Sequence, residues 1–243
     1  MTYCVALRLD QGLLFMSDTR TNAGVDNIST FRKMFNWSVE GDRVITILTA
    51  GNLATTQAVV SLLNERSVIP ADRKQTLLAA PTMFQVARLV GDTLKEVIHS
   101  QAEEGQTAES TFGATMIVGG QIRGMEPRLF LVYPEGNFIE ASNETPFFQA
   151  GETKYGRPII LRAFDSAMSF EDAIKLLFVS FDSTLKANLA VGMPLDLHAY
   201  RIDTFETGIQ RRIPSDDPYF HAISSDWGNA LKEAIDKLPD FTF

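Results

Sequence analysis

Strand-like and helix-like segments come in runs along this chain, and this order restricts the possible folds more than any other feature. Four strand-like segments are followed by two helix-like ones, three strands, two helices, two strands and a last helix. β-branched runs such as residues 44–48 are typical of buried strands, and the turn residues at 10–12, 40–42 and 134–137 predict hairpins. Alternating βαβ units would interleave single strands with single helices, so the order argues against them.

Hairpin-connected strands and paired helices predict a layered sandwich. The predicted strands cover residues 2–9, 13–16, 33–39, 44–48, 114–118, 128–133, 138–141, 195–202 and 206–212. The predicted helices cover residues 52–63, 84–98, 154–164, 170–186 and 220–238, with a turn at 119–120 and irregular stretches at 17–30 and 101–109. Two antiparallel sheets packed face to face, with helices on both outer faces, would bury every apolar stripe. We therefore expect an α+β fold, a four-layer αββα sandwich, in one domain over residues 1–243.

Several helix signals are explicit in the sequence. Phe84, Val90 and Leu94 belong to an apolar stripe with a period of 3.6 residues. Asn52 and Ser169 stand where the N-caps of two helices are expected. The apolar stripes can serve either the core of the subunit or contacts with another subunit, and the periodicity alone does not distinguish the two.

Composition excludes several classes of partner. The 243 residues carry a net charge of −8 without a basic cluster, whereas phosphate binding needs a concentrated basic face, so we expect no nucleic acid partner. No apolar run approaches the roughly 18 residues that span a bilayer, and Arg8, Asp10 and Asp18 interrupt the start before a signal-peptide core forms. We therefore expect no membrane partner and a cytoplasmic protein, whose single cysteine, Cys4, suits a reducing compartment.

Thr2 directly follows Met1 and opens the first apolar strand. Removal of Met1 would give Thr2 a free α-amine beside its hydroxyl group. The reference pKa of an α-amine is roughly 7.7–8, so a useful fraction is neutral near physiological pH and accepts a proton. One residue would then supply both the nucleophile and the base. Many chains begin with Met-Thr without such chemistry, so this interpretation needs support from other residues.

Three residues fall where the predicted hairpins would bring them near Thr2. Asp18 ends the second strand, Lys33 opens the third and Gly51 ends the fourth, and we expect them at one edge of one sheet. The Lys33 ammonium would favour the neutral form of the amine, and Asp18 would hold Lys33 in place. The Gly51 N–H, at the start of a helix, would bind an oxyanion. Taken singly, the same residues also fit a surface ion pair, a solvated lysine and an ordinary strand-to-helix turn.

Together these residues resemble the proteasome β-subunit superfamily of N-terminal nucleophile hydrolases. That family combines an N-terminal threonine, an Asp-x-Arg motif and a lysine, which here correspond to Thr2, Asp18 with Arg20, and Lys33. The family's oxyanion glycine corresponds to Gly51. The resemblance implies that Thr2, Asp18, Lys33 and Gly51 are catalytic and that Arg20 supports them. The resemblance extends over the whole chain. Within the superfamily the chain looks most like a bacterial proteasome homologue, and residues 2–6, 17–26 and 151–158 carry this likeness.

The sequence departs from the family pattern around the expected nucleophile. Where the family has a Gly-Ser-Gly motif, this chain has Gly151-Glu152-Thr153. Asn188 and Val191 stand where the family has a supporting aspartate and serine. Glu152 is therefore expected to be a supporting residue, and the handling of protons is expected to differ.

The resemblance implies a threonine-type endopeptidase that hydrolyses peptide or amide bonds of peptides or unfolded proteins. It also implies a homo-oligomer, a ring or a spiral, with outer helices at the subunit contacts. Two alternatives remain: a proteasome-like scaffold with little or no activity, and a small-molecule amidase of the same class.

No cofactor is expected from the sequence. His99, His198 and His221 are too widely spaced to suggest a metal site. No Gly-rich segment has the spacing of a nucleotide-binding loop, so an ATPase would have to be a separate partner.

Overall fold

Antiparallel pairing organises much of the chain into two five-stranded sheets. The computed structural model describes residues 1–22, 28–68, 76–103 and 112–243. The first sheet has the order β10 (Phe147–Gly151), β1 (Tyr3–Leu9), β2 (Gly12–Asp18), β11 (Leu195–Arg201) and β12 (Ile209–Ile213). The second has the order β5 (Met34–Val39), β6 (Arg43–Gly51), β7 (Ala114–Ile122), β8 (Arg128–Val132) and β9 (Phe138–Glu140). A separate two-stranded ribbon pairs β3 (Arg20–Asn22) with β4 (Ile28–Thr30).

The described helices cover the outer faces of both sheets. An apolar cluster joins α1 (Leu53–Val68) and α2 (Met83–Glu103) to the second sheet. Another cluster joins α3 (Arg157–Ala163), α4 (Phe170–Ala187) and the start of α5 (Pro218–Asp236) to the first sheet. A third cluster contains residues of both sheets and fills the space between them. The layers are therefore helix, sheet, sheet and helix, which confirms the expected αββα sandwich.

Coverage on both sides explains why the first strand is apolar throughout. In β1, Tyr3 and Val5 belong to the cluster under the helices, whereas Cys4 and Ala6 belong to the cluster between the sheets. Successive side chains of a strand point to opposite faces, so a strand buried on both faces needs apolar residues at every position. Burial raises the pKa of the Cys4 thiol well above its usual range, as expected of a core cysteine.

Three strands were not expected from the sequence. The ribbon of β3 and β4 lies in a stretch that was predicted to be irregular, and each of its strands has only three residues. β10 is a short strand that pairs with β1. Because four of its five residues are buried, it shows no alternation of polar and apolar residues. Short strands without such periodicity give no local signal, because their pairing partners are distant in the sequence.

The turn predicted at residues 119–120 is wrong, because both glycines lie inside β7. A Cβ atom on Gly119 would stand 2.7 Å from the Phe15 ring, and one on Gly120 would stand 2.1 Å from the Val44 carbonyl oxygen. These glycines allow close packing within and between the sheets. The loop predicted to start at residue 101 is also wrong in part, because α2 continues to Glu103; residues 104–109 lie outside the described residues.

The apolar stripes of the two long helices lie inside the subunit. Val90 and Leu94 of α2 are fully buried against the second sheet, and Leu177 and Phe181 of α4 are buried against the first. Of the two roles left open by periodicity, packing within the subunit therefore accounts for most of both stripes. None of the described helices has both the length and the apolar content that crossing a membrane requires.

His198 connects the two sheets from within the core. This residue of β11 is fully buried, with Nδ1 2.8 Å from the Thr46 hydroxyl of β6 and Nε2 2.6 Å from the Thr207 carbonyl oxygen. Because a carbonyl oxygen only accepts hydrogen bonds, Nε2 carries the proton. Burial lowers the pKa of His198 to about 4, against the opposing effect of the hydrogen bond to Thr207.

We predict that His198 makes folding sensitive to mild acid. The unfolded imidazole takes up a proton near pH 6.5 and the folded one only near pH 4, so the unfolded state binds more protons between these values. The free energy of unfolding should therefore fall by about 3 kcal/mol between pH 7 and pH 4 through this group. Urea unfolding at both pH values measures the loss, which should shrink in His198→Gln. The exposed His221→Gln is the control, and equal losses in all three proteins would contradict the assignment.

Candidate active site

Thr2 lies at a cleft where the ends of the two sheets meet. The cleft has a volume of about 480 Å³, and Thr2 and Lys33 line it together with Gly51 and Gly151. Its remaining lining residues are mainly small or hydroxyl-bearing: Met1, Thr21, Thr49, Ala50, Asn52, Leu53, Ala54 and Thr56. Thr2 is 8% exposed, whereas Met1 in front of it is 65% exposed. The residue preceding Thr2 therefore projects toward solvent, while Thr2 itself is held in the structure.

A buried ion pair connects the sheets beside Thr2. The Lys33 Nζ donates to Asp18 Oδ1 over 2.7 Å, and both side chains are almost completely buried. Asp18 also accepts the Tyr3 N–H at Oδ1 over 2.9 Å and the Gly192 N–H at Oδ2 over 3.2 Å. Burial raises the pKa of the Asp18 carboxyl, and the Lys33 ammonium and these two N–H groups counteract the rise by stabilising the ionised form. The carboxylate thus anchors the chain immediately after Thr2.

Lys33 directly precedes β5 of the second sheet, and its side chain reaches across to Asp18 of the first. Its carbonyl oxygen accepts the Thr49 N–H over 2.8 Å, which fixes its backbone to β6. Its Nζ donates to the Arg20 carbonyl oxygen over 2.6 Å and to the Met1 carbonyl oxygen over 3.5 Å. The expectation that the site residues lie at one edge of one sheet is therefore wrong. Asp18 ends a strand of the first sheet, whereas Gly51 ends a strand of the second and Lys33 directly precedes another strand of the second.

Arg20 contributes through its backbone and through a loop contact. Its carbonyl oxygen binds Lys33, and its Nη1 donates to the Leu189 carbonyl oxygen over 3.0 Å. A Cβ atom on Gly192 would stand 2.0 Å from Arg20 Nε, so only a glycine leaves room for the guanidinium there. Sequence reasoning missed Gly192, which both admits Arg20 and donates to Asp18. Its distance of 174 residues from Asp18 left no local signal.

Two glycines with positive φ bring backbone close to the cleft. Gly51 ends β6 with a φ of 110°, and a Cβ atom there would stand 2.5 Å from the Gly113 carbonyl oxygen. Asn52 follows it and caps α1, because its Oδ1 accepts the Thr55 N–H over 3.1 Å. Gly151 ends β10 with a φ of 83°, and a Cβ atom there would stand 2.1 Å from the Thr2 carbonyl oxygen. Glycine at both positions is therefore required by conformation and by space.

The residues that depart from the family pattern also lie beside Thr2. The Glu152 N–H donates to the Thr2 carbonyl oxygen over 2.6 Å. The buried Glu152 carboxylate accepts the Lys154 N–H at Oε1 over 2.7 Å and the Asn188 amide at Oε2 over 2.8 Å. Val191 is buried in the apolar cluster of the first sheet. Glu152 therefore contacts both Thr2 and Asn188, whereas Val191 packs in the core.

The three histidines are not brought together. His198 is buried between the sheets, and His99 and His221 are exposed on different helices. Within the described ranges, no three His, Cys, Asp or Glu side chains are grouped so that they could hold a metal ion. Of the segment 17–26 that carried the resemblance, residues 23–26 lie outside the described residues.

Comparison with known proteins agrees with this geometry. The sequence model of the proteasome subunit family matches residues 2–193. A solved structure of Anbu (ancestral beta-subunit) from Yersinia bercovieri is similar, with 45% identity over 100% of both chains and a TM-score of 0.93. Anbu from Hyphomicrobium sp. strain MC1 shares 49% identity over 100% of both chains, with a TM-score of 0.90. The expected resemblance to a bacterial proteasome homologue is confirmed.

A third similar structure is described as the helical assembly of the Anbu complex from Pseudomonas aeruginosa. It shares 43% identity over 99% of this chain and 98% of its own, with a TM-score of 0.92. The comparison with curated proteins gave no match.

Close approach of Gly151 to Thr2 predicts that Gly151→Ala is strongly destabilising. Gly124 is a matched control, because its φ of 81° is nearly that of Gly151 and a Cβ atom there would meet nothing within 4 Å. Both substitutions place alanine in the left-handed region at a cost of about 1–2 kcal/mol. Only Gly151→Ala adds a clash with Thr2, for which we expect about 2 kcal/mol more. Urea unfolding measures both free energies, and equal values would contradict the clash.

Proposed function

Because the chain belongs to the proteasome subunit family, we propose that it is a threonine-type endopeptidase with Thr2 as its nucleophile. Removal of Met1 exposes the Thr2 amine, and the cleft beside it receives a peptide or a segment of unfolded protein. The observation that carries the proposal is the buried pair of Lys33 and Asp18 directly beside the residue that would attack. Buried charged pairs are costly unless their geometry is specific, and they cluster at functional sites.

The chemistry follows from the residue types around the cleft. The Thr2 hydroxyl attacks the substrate carbonyl carbon, and the Thr2 α-amine takes the hydroxyl proton. The amine passes this proton to the leaving nitrogen as the peptide bond breaks, and water then hydrolyses the ester formed on Thr2. Lys33 stabilises negative charge on the attacking oxygen, and Asp18 orients Lys33. Gly51 donates its N–H to the oxyanion.

The cleft favours this hydrolase over a purely structural scaffold. Its volume of about 480 Å³ falls within the roughly 300–1,000 Å³ that is usual for ligand sites. The small side chains along it, such as Ala50, Ala54 and Thr21, leave room for a substrate side chain. A small-molecule amidase would use the same Thr2, Lys33 and Asp18, so measuring hydrolysis of peptides of different length distinguishes a peptidase from an amidase. Location in the cytoplasm stays a prediction.

We also propose that the chain forms a homo-oligomer, a ring or a spiral. The similar protein from Pseudomonas aeruginosa is described as a helical assembly. In this chain the second half of α5 and the residues after it expose apolar side chains rather than packing on the sheet: Leu231, Ile235, Leu238, Phe241 and Phe243. An apolar stripe on an exposed helix is typical of a contact surface. Enclosure would keep a peptidase of broad specificity away from folded proteins, and any ATPase would be a separate partner.

Catalysis by Thr2 predicts a clear ranking of variants. Thr2→Ala should abolish peptide hydrolysis, Lys33→Ala should lose most of it, and Asp18→Asn should lose less. Loss of one member of a nucleophile–base set typically lowers kcat by several orders of magnitude. Fluorogenic peptides measure the rates, and intact mass spectrometry verifies that Met1 is absent. Thr145→Ala, an exposed threonine away from the cleft, is the control.

Two results would contradict the assignment of Thr2. One is hydrolysis at the wild-type rate by a Thr2→Ala protein of correct mass and fold. The other is full activity in protein that still carries Met1, because the amine would then be blocked. Folded wild-type protein without Met1 and without any hydrolysis would favour the scaffold.

Self-association through α5 predicts a change of mass in solution. The double variant Leu231→Glu, Ile235→Lys should lower the molar mass measured by light scattering at micromolar concentration, because it places charges within the apolar stripe. Glu233→Gln, on the same exposed helix segment, should leave the mass unchanged. A wild-type species of 27.0 kDa, the mass of one chain, would contradict the assembly itself. If the double variant keeps the molar mass of the wild-type assembly, contacts outside α5 hold the assembly together.

A further inference from the structure

We infer that the Glu152 carboxylate, held by Asn188, binds the α-ammonium of Thr2 after Met1 is removed and keeps that amine protonated at neutral pH. The inference rests on the proposed function, because it concerns the base of the same site. Glu152 would act as a positioning residue that sets the pH at which the nucleophile becomes active.

Glu152 is a buried carboxylate whose known partners are neutral. It is 5% exposed, and its two oxygens accept the Lys154 N–H and the Asn188 amide over 2.7 and 2.8 Å. Among the described residues, no lysine or arginine lies within ion-pair distance of it. A buried charge is costly unless a counter-charge compensates it. A free α-ammonium on Thr2 would supply that counter-charge.

The pair of Glu152 and Asn188 borders the space that Met1 occupies. The Glu152 N–H is fixed to the Thr2 carbonyl oxygen over 2.6 Å. The Asn188 Nδ2 lies 3.8 Å from the Met1 sulfur. Loss of Met1 therefore clears the volume beside the amide of Asn188 and creates the new amine at the same end of the strand. The ammonium can then donate to the carboxylate directly or through a water in the vacated space.

The two cations of this region are Lys33 and Arg20, and among the described residues only Lys33 has an ion-pair partner. The Lys33 Nζ is 3.5 Å from the Met1 carbonyl oxygen, so it lies within about 6 Å of the Thr2 nitrogen by bond geometry. Asp18 neutralises Lys33 over 2.7 Å. The Arg20 guanidinium donates to the carbonyl oxygen of Leu189.

The other charged groups of this region do not change that balance. Lys186 of α4 pairs with Asp182 over 2.8 Å, and Lys154 is an exposed residue. Among the described charges of this region, Glu152 and Arg20 have no ion-pair partner, and Glu152 is the one that Asn188 connects to the position of Met1. A carboxylate that lies within about 4–6 Å of an amine favours its charged form and raises the pKa of that amine by about one unit or more.

The consequence is that Thr2 is mostly inactive as a nucleophile at neutral pH. An amine with a pKa above its usual value of roughly 8 is mostly protonated near pH 7 and cannot accept the hydroxyl proton. Hydrolysis should then rise with pH into the alkaline range. Loss of the carboxylate should move the rise to lower pH.

The experiment measures the titration of the Thr2 amine directly. Protein that begins at Thr2 is prepared by cleaving an N-terminal fusion at that residue, and its mass is verified. Trace acetic anhydride labels the amine across pH 6–11, and mass spectrometry of the N-terminal peptide gives the labelled fraction. We expect a midpoint above pH 8 in the wild type and a midpoint lower by about one pH unit in Glu152→Gln. Glu171→Gln is the control, since it removes an exposed carboxylate at the opposite end of the 18-residue α4.

Each outcome decides the inference. A wild-type midpoint at or below pH 8, or equal midpoints in wild type and Glu152→Gln, would overturn it. If Glu152→Gln does not fold, Glu152→Ser removes the same charge. If neither variant folds, the midpoint of labelling in the wild type decides the inference by itself. Labelling needs no peptidase activity, so a raised midpoint in an inactive protein would defeat the proposed function alone. An active protein with an ordinary midpoint would defeat only the role of Glu152.

Discussion

The buried contact between Lys33 and Asp18 is the interaction on which the arrangement around Thr2 depends. Asp18 ends β2 of the first sheet, and Lys33 directly precedes β5 of the second. The carboxylate also accepts the Tyr3 and Gly192 N–H groups. Breaking a buried pair by removing one partner typically costs about 3–5 kcal/mol, whereas an apolar replacement of the whole pair is often neutral. Stability alone therefore does not explain the pair. The pair instead fixes the geometry of three segments. Asp18 binds the N–H groups of Tyr3 and Gly192, and Lys33 binds the carbonyl oxygen of Arg20.

Close approach of backbone to backbone supplies the second constraint. Gly151 lets the end of β10 lie against the Thr2 carbonyl group, and Gly192 leaves room for the Arg20 guanidinium against the backbone. Gly51 brings the end of β6 against the strand that begins at Ala114. In each case a Cβ atom would stand at or below 2.5 Å from a neighbouring heavy atom. Thr2 is thus held by close backbone contacts that a side chain at these glycines would prevent. Such rigid placement suits the proposed role of Thr2 as a nucleophile, which requires accurate orientation.

The sequence predicted correctly those structural features that are determined by residues close together in the chain. The hairpin of β1 and β2 and the caps at Asn52 and Ser169 were recognisable because a few consecutive residues determine them. The layer order followed from the grouping of strands and helices. The placement of Lys33 beside the opposite sheet was mispredicted, because sequence order shows which strands are neighbours along the chain but not which sheet each joins. β10 was missed for a related reason, since its partner β1 lies more than 130 residues away.

The chemistry around Thr2 is divided between a compensated cation and a carboxylate with neutral partners. Lys33 and Asp18 cancel each other at long range, so they act on Thr2 mainly through hydrogen bonds and position. Within the described part of the chain, no ion pair cancels the charge of Glu152 in this way, and the field of such a charge falls off slowly inside a protein. In the proposed mechanism Lys33 and Asp18 therefore determine where the Thr2 hydroxyl points, whereas Glu152 determines which fraction of the Thr2 amine is unprotonated. A serine at this position, as in the family motif, would supply a hydrogen bond without a charge. The departure at Glu152 thus changes the electrostatics of the site more than its shape.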